Sequence, residues 1–160
     1  MPAEDNKAVV RRFYEELWNE RNIEVADEII AADCVTHQLG SGVADAGTPR
    51  PPELIKQHVA AWLAGFPDLH FTIEQVLAEA DRVVTHSRMR GTHSGAWQGL
   101  APTGRAVSLP MIVIQRIRGG KIAEDWVLVD SLGFYQQLGL VPPTEEITAR
   151  AAIPVAGDAP

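Results

Sequence analysis

The sequence predicts an α+β domain: three N-terminal helices packed on a strongly curved, mainly antiparallel sheet. Three observations carry that reading. Apolar residues recur every three or four positions up to Phe66, the spacing of amphipathic helices. From Leu69 onward the period changes to two, the spacing of strands. The pair Gly119-Gly120 then separates two apolar runs, as in a tight hairpin whose turn needs positive φ. Helices first and antiparallel strands after is an α+β order. A twisted sheet with helices against it makes a cone with one open end, and pockets form at such mouths.

In chain order, residues 5–20 place Val9, Val10, Phe13, Leu17 and Trp18 on one helical face, with Asp5 as N-cap. A second, shorter helix reads from Ile23 to about Asp33, and the run Cys34–Leu39 is a short β-like stretch containing His37. Residues 40–52 are rich in Gly and Pro and read as a loop, with Pro51 or Pro52 in the first turn of a third helix. That helix carries Leu54, Ile55, Val59, Trp62, Leu63 and Phe66 inward and stops at Pro67. Strands follow over 69–80, 82–93, 105–118 and 121–130, and a short helix over 131–139 closes a single domain of residues 1–140. Residues 141–160 have little to bury and read as a loose tail.

The chain has 160 residues, enough for one domain with a real core. Its formal net charge of -7 repels phosphate backbones and anionic lipid, so neither nucleic acid nor a membrane surface is an expected partner. Cys34 is the one cysteine, which excludes an intrachain disulfide framework and a cysteine-based zinc cluster. The N-terminal stretch is acidic and then amphipathic, unlike a signal peptide, and no apolar run approaches the ~20 residues of a membrane span. A cytoplasmic setting is the expectation.

The last strand ends on Asp130. A hairpin turning at Gly119-Gly120 sets Ile117 opposite Ile122, Val113 opposite Trp126 and Met111 opposite Leu128. Alternation puts Trp126, Leu128 and Asp130 on one face and Ala123, Val127 and Val129 on the other. Both faces are apolar, so the strand reads as central and covered on both sides. A carboxyl between such walls has a raised pKa and can exchange protons near neutral pH. Asp130 and Ser131 also stand where a helix N-cap is needed, so capping and catalysis both stay open for Asp130.

The histidines at 37, 58, 70, 86 and 93 form no metal-ligand spacing, and a metal site is not expected. His37 is the better pocket candidate, and His58 reads as a core or rim residue. His86, Arg88 and Arg90 share one strand face, which is either the solvent side or a wall for an oxygen-rich substrate. No GxSxG elbow, P-loop or GxGxxG fingerprint is present, and the solitary Cys34 is a poor nucleophile candidate.

Residues 82–140 carry GTHSGAWQGLAPTGR, RIRGGKIAEDW, an aspartate four residues after that tryptophan, and QQLG. With the N-terminal helices, this pattern resembles the SnoaL-like polyketide cyclases, or ester cyclases, over roughly residues 6–140. The resemblance implies a cone-shaped fold of the nuclear-transport-factor-2 (NTF2-like) type. It implies intramolecular aldol-type ring closure of a small polyketide ester without metal or organic cofactor. Asp130 would be the acid/base and His37 its companion in the pocket, with Trp62 and Trp126 as aromatic walls. Met111 would add a further apolar wall, and His86 and Arg88 would meet substrate oxygens. The substrate is expected to be a small apolar carbonyl or polyketide-like compound, and the assembly a homodimer. Members often carry His where this chain has Asp125. Two alternatives remain from the sequence. One is a hydrolase, isomerase or dehydratase in the same cone, though Arg88-Met89-Arg90 lacks the Arg-x-Asp segment of the epoxide-hydrolase relay. The other is a ligand-binding module without catalysis.

Overall fold

The first helix, α1 (Ala3–Arg12), has Glu4 and Asp5 in its first turn and Arg11 and Arg12 in its last, matching the helix dipole at both ends. Its N-cap is Pro2 rather than Asp5. The computed structural model, which describes residues 2–39 and 47–151, shows α1 running on into π-helical turns over Phe13–Asn19. Those wider turns bury Tyr14, Leu17 and Trp18 together.

The second helix is shorter than its periodicity predicts. Helix α2 (Val25–Ile29) stops at Ile29, and Ile30 opens strand β1 (Ile30–Leu39). An Ile-Ile pair fits either period, and here Ile30 is taken by parallel pairing with Ile122. Within the expected loop, residues 40–46 lie outside the described residues. Thr48–Pro49 form a short edge strand, β2, and Pro52 opens α3 (Pro52–Gly65).

Four long strands follow: β3 (His70–Glu79), β4 (Arg82–Thr92), β5 (Ala106–Arg118) and β6 (Lys121–Val129). The sheet order is β2-β1-β6-β5-β4-β3, antiparallel except for the β1–β6 pair, so β6 is central as expected. Helix α4 (Ser131–Gln137) closes the cone, and α5 (Thr144–Ala151) buries none of its residues. The rest of the expected tail, residues 152–160, lies outside the described residues. No helix among the described residues is long and apolar enough to cross a membrane.

The β5–β6 hairpin corrects the predicted register. Ile117 does pair with Ile122, but the register shifts between Arg116 and Ile117. Beyond that bulge Ile114 stands opposite Trp126, Val113 opposite Val127 and Met111 opposite Val129. A one-residue slip changes which residues share a face. The inner face of β6 is therefore Asp125, Val127 and Val129. The outer face, expected to be covered, leaves Leu128 and Ile112 exposed.

The loop after β4 is tied to the end of α3. The amides of Ser94 and Gly95 both donate to the Gly65 carbonyl, at 3.1 and 3.0 Å. A Cβ at Gly95 would stand 1.8 Å from the Ala64 carbonyl oxygen, so no larger residue allows this approach. The approach sets Trp97 against Trp62, ring centroids 4.7 Å apart.

Candidate functional site

Between the helices and the inner sheet face lies a cavity of about 360 Å³, the size of a small-molecule site. Its walls are aromatic: Trp18 from the π-helical turns, Trp62 from α3, Phe71 from β3, Trp97 from the loop and Phe134 from α4. Trp62, Phe66, Trp97 and Phe134 pack on one another at centroid distances of 4.7–6.0 Å, which fixes the wall in place. Met111, Val127 and Val129 form the sheet side.

A second lobe of about 90 Å³ shares Trp18, Gln38, Arg50, His58, Phe71, Met111 and Val127 with the first and ends on Tyr14, Thr36 and Asp125. Sheet register makes this end polar. Thr36, Asp125 and Gln115 lie in one row across β1, β6 and β5, with Thr85 and Ser87 beside them on β4. All five are buried. The Asp125 Oδ1, both polar atoms of the Gln115 side chain, and the hydroxyls of Tyr14, Thr85 and Ser87 lack a well-formed hydrogen bond. Buried polar atoms in native folds are almost always paired, so the Asp125 oxygen, which lines the lobe together with the Tyr14 side chain, marks a place for a polar ligand atom.

Burial raises the Asp125 carboxyl from 3.8 to about 6. The Thr36 hydroxyl, Arg50 and His37 pull the other way, and Glu124 adds to the rise. Burial likewise pushes the Tyr14 phenol up to about 12, so it stays a neutral donor at neutral pH. His58 lies edge-on to Trp18 and Trp62, and burial, aided by Arg50, pushes its imidazole down to about 4. The Cys34 thiol is pushed up to about 12 by burial and stays protonated.

The seven residues expected at the site divide between the two faces. Trp62 and Met111 line the cavity. The other five stand on the outer face. His37 stacks on Trp126 at 5.2 Å with an 8° interplanar angle, and its Nε2 meets Glu124 at 3.0 Å. Trp126 also carries the Arg82 guanidinium at 5.2 Å on its ring. His86 and Arg88 both meet Glu74, at 3.1 and 2.7 Å. Asp130 is exposed, not held between apolar walls; its carboxylate accepts from the Gly133 amide at 2.8 Å and caps α4. Ser131, the alternative cap the sequence offers, is the first helical residue. The alternation was read correctly; which face is inside was not, because both faces are apolar. Asp130→Ala is expected to cost about 0.5–2 kcal/mol of stability by chemical denaturation.

Two residues of the cavity were not singled out as site residues from the sequence, Asp125 and Arg50; Tyr14 was open as a phenolic donor but favoured as core. Asp125 had a signal, since it is the one acid on the face shared by Ala123, Val127 and Val129. Arg50 had none, because it lies within the Gly/Pro-rich stretch.

Comparison with known proteins adds the lineage. The profile of a family described as SnoaL-like polyketide cyclase matches residues 8–138. Aklanonic acid methyl ester cyclase AcmA of Streptomyces galilaeus is 33% identical over 136 residues, covering 82% of this chain and 89% of AcmA. The crystal structure of IdmH from Streptomyces antibioticus, a candidate polyketide cyclase, superposes with a TM-score of 0.71 at 34% identity, over 84% of this chain and 98% of IdmH. AclR of Streptomyces galilaeus, a candidate hydroxylase, gives a TM-score of 0.78 at 23% identity over 94% of this chain and 95% of AclR, a likeness of fold alone.

Proposed function

The chain belongs to the SnoaL-like polyketide cyclase family, and from that premise we propose that it closes a ring in a small polyketide, with Asp125 as general acid and base. The observation that carries this is the Asp125 carboxyl: buried, raised to about 6, and presenting an unpaired oxygen to the inner lobe of an apolar cavity. An aspartate with that value is mostly ionised at neutral pH and still basic enough to take a proton from carbon activated by two carbonyls.

The reaction balances without an external reagent. Asp125 removes the α-proton, and the resulting enolate carbon attacks a second carbonyl of the same chain. The new alkoxide takes the proton back from Asp125, leaving a ring, a hydroxyl and the starting carboxylate. Tyr14, held neutral and lining the same lobe, supplies a donor for the enolate oxygen in this reading. The aromatic wall holds the chain folded with its reacting carbons close, which lowers the entropic part of the barrier.

This reading moves the acid/base role from Asp130, where the resemblance put it, to Asp125. Turnover of aklanonic acid methyl ester, the compound in the relative's name, by Asp125→Asn and Asp130→Asn variants separates the two. The reading holds if Asp125→Asn alone loses turnover and fails if Asp125→Asn keeps it.

The expected homodimer enters the same reading through the outer sheet face. Leu128 and Ile112 are exposed there beside Pro110 and His86. Leu128→Glu is expected to convert a dimer to monomer in sedimentation equilibrium, and an unchanged mass would remove this face as the interface.

A further inference from the structure

We propose that Arg50 seats a planar two-oxygen anion of the substrate, a carboxylate or the enolate of a 1,3-diketone, at the junction of the two cavity lobes. This rests on the substrate occupying the cavity described above.

Arg50 lines both lobes. It follows β2, and its backbone amide donates to the Cys34 carbonyl at 2.7 Å, fixing the start of the side chain against β1. The side chain then runs to a place from which its charge acts on both His58 and Asp125. Those residues come from α3 and β6, so the guanidinium lies between the helix wall and the sheet wall. It makes no hydrogen bond or ion pair with any described residue.

The surroundings sharpen the point. The chain carries 21 acidic residues against 14 Lys and Arg, and the other half-buried arginines among the described residues meet carboxylates: Arg12 with Glu16 and Glu28, Arg88 with Glu74, Arg116 with Glu124. Among the half-buried arginines described, Arg50 alone faces an aromatic cavity without a carboxylate of its own. Desolvating a cation without a partner is unfavourable, and a bound anion removes that cost. The guanidinium fork presents parallel N–H groups that match two coplanar oxygens, as in a carboxylate or a diketone enolate. His58, held neutral, adds no competing charge. An anion here stands near Asp125 and favours its protonated form, which suits the proton-return half of the reaction.

Calorimetric titration with three probes tests this. They are 2-naphthoate, its neutral methyl ester, and benzoylacetone, whose enolate is recognised by a red-shifted ultraviolet band. The wild type is expected to bind naphthoate about tenfold or more tighter than the ester. Arg50→Gln is expected to erase that preference while leaving ester affinity in place, and Arg50→Lys to keep part of it. A red-shifted benzoylacetone band in the wild type that Arg50→Gln abolishes assigns the seat to an enolate; naphthoate preference without that shift assigns it to a carboxylate. Equal binding of acid and ester together with unshifted benzoylacetone overturns the inference. So does an Arg50→Gln variant that weakens acid and ester alike, which would mean Arg50 only shapes the cavity. Asp125→Asn is expected to keep the preference for the acid. The catalytic reading and this one therefore fail separately: loss of turnover without anion preference sinks only the seat, and anion preference with a fully active Asp125→Asn sinks only the acid/base role.

Discussion

Asp125→Asn is expected to lower turnover by about 10²–10⁴-fold, the usual contribution of a positioned acid/base group. Asparagine keeps the size of the side chain and its approach to Thr36, so the cavity keeps its shape and KM changes little. Only the ability to accept and return a proton is removed. In the wild type, kcat/KM is expected to rise with pH through about 6 and level off, because the reaction starts from the ionised carboxyl. The variant loses that inflection. Asp130→Asn keeps both rate and profile, since Asp130 is exposed and bonded to the Gly133 amide. A variant at 125 with wild-type kcat would remove the acid/base assignment.

The same substitution is expected to stabilise the fold, and this second effect is nearly as large. Asp125 titrates at about 6 in the folded chain against 3.8 ordinarily. Between those values the folded protein holds a proton that the unfolded chain has released. Stability therefore falls as pH rises through that window, and the full cost, about 3 kcal/mol, is present above it. Asp125→Asn removes the ionisation and gains up to that amount at about pH 8, less whatever a buried amide costs. At about pH 4 both proteins hold neutral groups there and the difference shrinks toward zero. Urea denaturation at the two pH values reads this directly. A structural aspartate paired in the fold would give the reverse, a variant less stable at high pH. Gain of stability with loss of turnover is the pattern of a group kept for function.

Much of this was legible in the chain. The helical stripe of α3 named Trp62 and Phe66 correctly as inward, and Gly119-Gly120 marked the hairpin. The alternation of β6 grouped Trp126, Leu128 and Asp130 as they are grouped in the fold. What could not be read was a single bulge. Nothing in Gln115-Arg116-Ile117 announces a register shift, yet it moves Met111 and Val113 opposite Val129 and Val127. With apolar residues on both faces of β6, alternation has no sign, and the inside was assigned to the wrong set. The boundary of α2 was lost for a similar reason, because Ile29-Ile30 satisfies either periodicity. Arg50 was hidden in a stretch whose glycines and prolines predict only a turn; its reach into the cavity depends on β2 pairing with β1, Val35 opposite Pro49, which no local pattern announces. Tyr14 reads from the sequence as core in preference to a phenolic donor, and it is core; the polar row that the strand register builds beside it is what brings the donor reading forward.

Asp125 is held in a cavity with its proton retained to near-neutral pH. A carbon-13 NMR titration of the aspartate side-chain carboxyls tests it without needing the substrate. One resonance is expected to titrate at about 6, to vanish in Asp125→Asn and to persist in Asp130→Asn. If every aspartate carboxyl titrates near 3.8 or below, or if the resonance at about 6 is lost in Asp130→Asn instead, the account given for Asp125 is wrong.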